Sequence, residues 1–327
     1  MKKNKKILFL FGIFAGVVLT SCEPISTNDE YIPSLITPTG APTLPAYKLM
    51  ISDKIDVTSP TDNAAIPAHL TKGDVDFVIF DATNAQRVLA EQHENAKYEF
   101  VQMLTGGNFH LLGFNKTEND TPKNEDNILG FMPKSTPGIL FKNIYGSDLT
   151  FDQSFNSIAD LTPYLIQMNT NYEISGEVVD WAVVAEPANT QIQSKLKEKG
   201  ITNFIDINLN AAFKEKHADE WNKDYICQAG LFVKKEFKKT HSDVFKSTIS
   251  LLNEGINKLF SDLDGAFSEM TSGDLSNAET FTNTFGFNST VIKGVQGNNS
   301  TKNGFGVVPT NVTFTVKDID LFNSLLA

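Results

Sequence analysis

Cysteine and arginine are scarce in this chain of 327 residues. The two cysteines, Cys22 and Cys227, are too few for a disulfide framework or a cysteine-rich metal site. Arg87 is the only arginine, so the chain lacks the set of guanidinium groups that commonly clamps small anions. Cys227 lies in the apolar run YICQAGLFV, which predicts a small buried hydrophobic residue and not a reactive thiol.

Sequence signatures of catalysis are also missing. The five histidines are scattered without the spacing of a zinc protease, and no GxSxG elbow, P-loop or GxGxxG loop is present. His110 follows a Gly-Gly pair near a predicted strand and could approach a site. Asp81 and Glu186 could in principle act as an acid and a base, but no nucleophile accompanies them. The sequence therefore predicts a protein that is not an enzyme, with no metal and no cofactor.

The charge balance is acidic. Aspartate and glutamate number 39 against 28 lysines and arginines, which gives a formal charge of −11 at pH 7. An acidic chain is repelled by phosphate backbones, so nucleic acid is excluded as a partner. Hydrophobic residues make up 41% of the chain and can fill sizeable cores, and the length indicates about two domains.

The N-terminus has the pattern of a secretory signal peptide. Four lysines lie within residues 1–6, and the apolar stretch 7–19 is shorter than the roughly 20 residues that a membrane-spanning helix needs. The following LTSC resembles the lipobox of bacterial lipoproteins, in which the cysteine is lipidated and becomes the first mature residue. We therefore expect a signal peptide at 1–21. Acyl groups such as palmitate on Cys22 would anchor the protein to the cell membrane outside the cytoplasm, and 22–31 would be a flexible tether.

Short apolar runs alternate with helical patterns along the rest of the chain. VDFVIFD precedes ATNAQRVLAEQHE, for example, and VVDWAVVAE precedes PANTQIQSKLKEKG. This alternation predicts βαβ units and a largely parallel sheet whose strands are covered on both faces. Polar segments at 115–127 and 221–224 interrupt the pattern. We therefore expect an α/β fold with two lobes and a hinged cleft, the first lobe from 32–115 and 226–327 and the second from 118–222.

Four turns after predicted strands are candidate binding sites, because ligands of open α/β sheets bind beyond the carboxyl ends of the strands. The candidate residues in these turns are Thr39, Gly40, Asp81, Ala82, Thr83, Asn84, Ser135, Thr136 and Glu186. Gly107 is added because the segment around His110 could approach the same cleft. Two turns fall in each expected lobe, so closure would bring them face to face. The alternative is that these residues only start helices, since the same residue types are common helix caps.

Four stretches together resemble the solute-binding proteins of ABC importers, in the group that handles nitrate, sulfonates, taurine and thiamine precursors. They are PTGAPTLPAYKL, GDVDFVIFDATNA, ILGFMPKSTPGILFKNI and VVDWAVVAEPANTQI. The resemblance covers about residues 32–260 and implies a periplasmic-binding-protein fold of type 2. It also implies a monomeric receptor that closes around one small solute and delivers it to an ABC permease and its ATPase. Residues 261–327 depart from the resemblance, although by analogy they should complete the first lobe.

The sequence leaves two questions open, namely the identity of the solute and the choice between this function and one alternative. Carboxylates at Asp81 and Glu186 favour an amine or a nitrogen-containing heterocycle over an anion. Aromatic residues that could stack on a ring are Tyr47, Phe80, Phe109, Tyr145 and Trp181. The alternative function is a surface adhesin or interaction lipoprotein with a degenerate cleft, because the segment GFNSTVIKGVQGNNSTKNGFG has the composition of a surface loop.

Overall fold

Two five-stranded sheets organise the described residues of the computed structural model, which are 31–38, 40–60, 63–272 and 305–327. The first sheet contains β1 (Ser34–Ile36), β2 (Asp56–Thr58), β3 (Phe77–Asp81), β4 (Tyr98–Thr105) and β12 (Ala229–Lys234). The second sheet contains β5 (Phe109–Phe114), β6 (Ile128–Phe131), β7 (Gln153–Phe155), β10 (Trp181–Ala185) and β11 (Phe204–Asn208). A small hairpin joins β8 (Glu173–Ile174) to β9 (Glu177–Val178).

The two sheets have equivalent strand orders. The first runs β2-β1-β3-β12-β4, and the second, read from its opposite edge, runs β7-β6-β10-β5-β11. In each sheet one strand is antiparallel to its neighbours, namely β12 and β5. The prediction of a largely parallel sheet is therefore corrected for one strand in each sheet, which runs antiparallel to its neighbours. A strand that enters from the other sheet starts at the edge where its new neighbours end, so it must run in the opposite direction.

The chain passes from the first sheet to the second just before β5, and this differs from the lobe boundary expected from the sequence. Residues 109–114 pair with β10 and β11, and they therefore belong to the second sheet, not to a first segment that extends to residue 115. The polar segment after β5 is a loop of the second lobe and not the connection between lobes. The connection itself is the stretch between Thr105 and Phe109, whose three residues are too few to stand out as a linker in the sequence.

Helices cover both sheets. They are α1 (Tyr47–Met50), α2 (Ile66–Lys72), α3 (Ala82–Glu91), α4 (Thr136–Tyr145), α5 (Ile158–Leu165), α6 (Ala188–Glu198), α7 (Leu209–Lys216), α8 (Lys235–Thr240), α9 (Ser242–Ser261), α10 (Leu263–Ser272) and α11 (Val316–Leu326). Short 3₁₀ helices lie at Ala41–Ala46, Asn63–Ala65 and His93–Asn95. Every residue of β10 is buried, as expected for a strand covered on both faces. The α/β prediction with two sheets is confirmed.

The last helix packs on α3 beside the first sheet and on the core of the second sheet. The Phe322 ring of α11 lies 5.0 Å from the Phe213 ring and 5.4 Å from the Trp221 ring, centroid to centroid. The Asn143 side-chain amide also donates to the Leu325 carbonyl oxygen at 2.6 Å. α11 therefore contacts elements of both lobes, and the expectation that residues 226–327 complete the first lobe stays a prediction. An aromatic cluster in the second core, which sequence periodicity does not reveal, provides its docking surface.

Several sequence predictions concern residues outside the described ranges. Cys22, the signal peptide at 1–21, all of the tether except Tyr31, and residues 273–304 are among them. Within the described residues, no helix combines the length and apolar character required to cross a membrane.

Candidate functional site

The two sheets are joined where their strand ends face each other. Residues 105–108 link β4 to β5, and residues 226–228 lead into β12. These two segments touch, because the Gln228 N–H donates to the Thr105 carbonyl oxygen at 3.3 Å. A Cβ atom on Gly106 would lie 2.0 Å from the carbonyl oxygen of Ile226, so only glycine fits there. We call residues 105–108 and 226–228 together the crossover.

Asp81 ends β3 beside the crossover and caps α3. One carboxylate oxygen accepts from the Asn84 N–H at 2.8 Å and from the Thr83 hydroxyl at 2.7 Å. The other oxygen accepts a short hydrogen bond from the hydroxyl of Thr136, which is the first residue of α4 in the second lobe. Two of the predicted turns therefore meet across the lobes. The capping alternative also holds for Asp81, because a single carboxylate performs both roles.

Glu186 follows β10 at the equivalent position, but its surroundings differ. Its side chain is 2% exposed. One oxygen accepts from the Thr190 N–H at 3.2 Å, and the other accepts from the Thr190 hydroxyl and the Asn189 amide. These partners all belong to the start of α6. Burial raises the pKa of Glu186, and the neighbouring charge of His110 opposes that shift only in part.

His110 forms the centre of a polar network behind Glu186. Its Nδ1 lies 2.7 Å from an Asp206 carboxylate oxygen, and the other Asp206 oxygen accepts from Asn189 at 3.1 Å and Gln193 at 2.7 Å. Burial alone would lower the pKa of His110, but the hydrogen bond and charge of Asp206 raise it overall. Burial likewise acts to raise the pKa of Asp206, and His110 with the two amides more than offsets it. The network therefore favours a charged His110–Asp206 pair next to a carboxyl group whose ionisation is disfavoured.

Three polar side chains of the crossover are buried without a partner for one of their atoms. Thr105 is 0% exposed, Asn108 is 2% exposed and Gln228 is 7% exposed. Within the described part of the chain, no hydrogen-bond partner reaches Thr105 Oγ1, Asn108 Oδ1 or Gln228 Oε1. Unpaired buried polar atoms are uncommon in folded proteins, and they call for an explanation at the place where they occur. We call these three residues the crossover polar group.

Sequence reasoning missed the crossover polar group. Asn108 and Gln228 stand singly within apolar runs, and nothing in the local pattern indicates that two distant segments meet. One signal was available, because each residue lies within two positions of a glycine, in TGGN and CQAG. A polar residue that interrupts an apolar run beside glycine is typical of close backbone approach.

The other predicted site residues occupy varied positions. Ala82 is buried, and its N–H donates to the Gln228 carbonyl oxygen at 2.8 Å. The Gly107 carbonyl oxygen accepts from the Asn208 side chain at 3.2 Å. Ser135 starts α4 without a side-chain capping bond. Gly40 has open space around its Cα, and Thr39 lies outside the described residues.

Two of the aromatic candidates belong to the core and not to a ligand site. Tyr47 is buried with its hydroxyl 3.0 Å from a Glu269 carboxylate oxygen, and Trp181 is buried with its indole N–H donating to Asp126 at 3.0 Å. Two surface depressions, of about 220 and 830 Å³, lie in the second lobe; Tyr145, one of the aromatic candidates, lines the larger one together with Asp206, and neither depression is lined by residues of the crossover. The crossover is therefore identified by its buried polar atoms and not by cavity size.

Comparison with solved structures gives a consistent result for the fold. A structure described as an ABC transporter from Parabacteroides distasonis superposes with a TM-score of 0.52 at 14% identity, covering 86% of this chain and 98% of that one. The zinc-bound ligand-binding component of an ABC-type import system from Staphylococcus aureus gives 0.52 at 14% identity, covering 85% and 96%. The periplasmic aliphatic sulphonate-binding protein of Escherichia coli gives 0.54 at 12% identity, covering 89% and 87%.

The chain has the periplasmic-binding-protein fold. The predicted resemblance to solute-binding proteins of ABC importers is thus confirmed at the level of the fold. The structures from Staphylococcus aureus and Escherichia coli are both described as binding proteins. No protein-family model matches the sequence, and no curated protein matches it either. Within the described residues, no group of three or more histidine, cysteine, aspartate or glutamate side chains is placed to hold a metal ion.

Proposed function

We propose that this protein is a solute-binding lipoprotein that captures a small solute at the crossover and delivers it to an ABC permease coupled to an ATPase. The observation that carries the proposal is the crossover polar group, which places unpaired buried polar atoms between the two sheets of a binding-protein fold. Leaving such atoms unpaired costs about 1–3 kcal/mol each. A bound solute that pairs them would offset this cost and thereby gain affinity.

The contact between Asp81 and Thr136 supports the proposed closure of the lobes. This hydrogen bond joins the start of α3 to the start of α4, which belong to different sheets. A hinge motion at the crossover would break it and expose the crossover polar group to solvent. The arrangement therefore supports a binding protein that opens to admit its solute and closes over it.

Lipidation at Cys22 completes the proposed role. An acylated N-terminus would hold the receptor outside the cytoplasm at the membrane, where a tether raises its effective concentration beside the permease. Lasting attachment requires more than one acyl chain, because a single chain binds membranes only marginally.

A ligand screen tests the receptor function. We expect at least one small metabolite to raise the melting temperature of the purified protein in a saturable way. By mass action, a solute at 100 times its Kd stabilises the folded state by about 2.7 kcal/mol. The adhesin alternative predicts the opposite result, namely no stabilising metabolite in a broad library. A negative screen of that kind would contradict the receptor proposal.

A further inference from the structure

We infer that the outer edge of β11 docks an extended, basic segment of a partner polypeptide, which adds as a strand to the second sheet. β11 is the last strand of that sheet, and among the described residues it pairs with β5 alone. The larger surface depression, of about 830 Å³, follows this edge, because four successive residues of β11, 204–207, line it. We call this depression the edge groove. It contains no residue of the crossover, so the inference goes beyond solute binding.

The backbone of β11 presents hydrogen-bonding groups away from the sheet. In an antiparallel pair, residues that bond to the neighbouring strand alternate with residues that do not. The Asn203 carbonyl oxygen accepts from the Asn115 N–H at 3.0 Å, on the side of β5. The same alternation places Ile205 and Ile207 in bonded pairs with β5, so the N–H and C=O of Asp206 point outward. Neither of these two Asp206 groups has a hydrogen-bond partner within the described residues.

The outward groups are open to solvent. Asp206 is an exposed residue, although its side chain is only 26% exposed and contacts His110 at 2.7 Å. Its exposure therefore comes largely from the backbone. An exposed strand edge is a template for another strand. The Asp206 carboxylate does not oppose such pairing by its charge, because His110 compensates it.

The equivalent edge of the first sheet carries an added segment. β4 is the last strand of its sheet, as β11 is of the other. Residues 306–308 lie antiparallel to the end of β4, where the Val308 N–H donates to the Leu104 carbonyl oxygen at 2.9 Å. The Gly106 N–H donates in turn to the Gly306 carbonyl oxygen at 2.7 Å. Within the described part of the chain, an extended segment thus covers one of two equivalent edges and leaves the other open.

Charge at the edge groove specifies the occupant. Glu118, Asp120 and Glu215 line the groove and are exposed. Lys216 is the one basic residue among the described residues that line it, and its ammonium group donates to the Asn143 carbonyl oxygen. A basic segment is therefore complementary in charge. A second copy of this chain, paired edge to edge about a twofold axis, would bring the same carboxylates together.

Apolar side chains of the groove fit the other face of an added strand. Ile144, Tyr145 and Ile207 are half-buried and line it. Successive side chains of a strand point to opposite faces of the sheet. A segment in which basic and apolar residues alternate therefore matches both the carboxylates and the apolar surface. Main-chain hydrogen bonds to the edge would supply affinity, and these side chains would supply specificity.

The test uses the full-length protein purified in detergent and a fluorescent peptide of alternating lysine and valine, measured by fluorescence anisotropy. We expect saturable binding that weakens by roughly tenfold between 50 and about 300 mM salt, because salt screens exposed charges. A peptide of alternating glutamate and valine should not bind. The lysine–valine peptide with every backbone N–H methylated keeps its charges and should bind roughly tenfold more weakly or worse. Equal affinity of the methylated peptide, or no binding of the parent peptide, overturns strand addition.

Protein variants then locate the binding on β11. Ala212→Trp fills the edge groove and should weaken peptide binding by roughly tenfold or more, whereas Ala211→Trp, at an exposed neighbouring position outside the groove, should not. Glu215→Lys should also weaken binding, and Glu91→Lys, on an exposed position of α3, is its control. Melting temperatures verify that each variant is folded. Wild-type affinity in both groove variants overturns the site. A dimer in sedimentation velocity that Ala212→Trp abolishes would assign the edge to a second copy and overturn the basic partner.

Discussion

Truncation of Phe322 to alanine provides a direct test of how the C-terminal helix is held. The Phe322 side chain is 0% exposed, and its ring packs against Phe213 and Trp221 at centroid distances of 5.0 and 5.4 Å. Burying a phenylalanine side chain contributes about 1.5–3 kcal/mol, and each aromatic pair adds roughly 0.5–1.5 kcal/mol. Together these agree with the cost of about 3–5 kcal/mol that is typical of Phe→Ala substitutions in cores.

The expected shift in melting temperature follows from the size of the chain. Unfolding entropy of about 2.1 cal/mol/K per residue, over roughly 300 residues, converts 3–5 kcal/mol into a decrease of roughly 5–8 °C. Differential scanning calorimetry measures this shift. Phe260→Ala is the matched control, because Phe260 is 39% exposed on α9 and should lose less than about 1 kcal/mol. Equal decreases for the two variants, or almost none for Phe322→Ala, would refute the packing of α11 on the second core.

Two further predictions concern a buried carboxyl group and the proposed membrane anchor. Burial holds the pKa of Glu186 above its ordinary value of 4.5, so this group makes the wild-type protein lose stability as the pH rises from 4.5 through its folded pKa. Glu186→Gln lacks that loss, so the melting temperature of the variant minus that of wild type should be more positive at pH 7 than at pH 4.5. A difference that is the same at both pH values, or reversed, would contradict the raised pKa of Glu186. Cys22→Ser should move the protein from the membrane fraction to the soluble fraction, and unchanged membrane recovery after a salt wash would argue against lipidation.

Two similar stretches of the sequence form strands at equivalent positions but in different surroundings. GDVDFVIFDATNA forms β3 and the start of α3, and GEVVDWAVVAEPAN forms β10 and the start of α6. Both strands occupy the third position of their sheets, next to the antiparallel strand. The two sequence stretches are similar because their strands occupy equivalent positions in the two sheets. Even so, Gly73 ends α2 in a left-handed conformation, whereas Gly176 lies in the turn between β8 and β9.

Long-range contacts explain what the local pattern could not show. Asp81 faces Thr136 across the two sheets, whereas Glu186 lies beside His110 and Asp206, which come from β5 and β11. Nothing within either phrase distinguishes these outcomes, since the deciding partners are far away in sequence. Cys227 is the contrasting case, because its apolar neighbours alone predicted a buried thiol, and it is 0% exposed.

The exchange of strands between the sheets has a consequence for the order in which the chain can fold. The second sheet has its five strands within residues 109–208, whereas β4 pairs with β12 and, at Thr105, with Val307, so it must await residues 229–234 and 307. During synthesis, which proceeds from the N-terminus, the second sheet therefore has all its strands first. Until β12 emerges, β3 and β4 expose unpaired edges of the kind that promote aggregation. The sheet that contains the most N-terminal strands is therefore completed after the other sheet. This is the reverse of the usual order, in which N-terminal domains fold first.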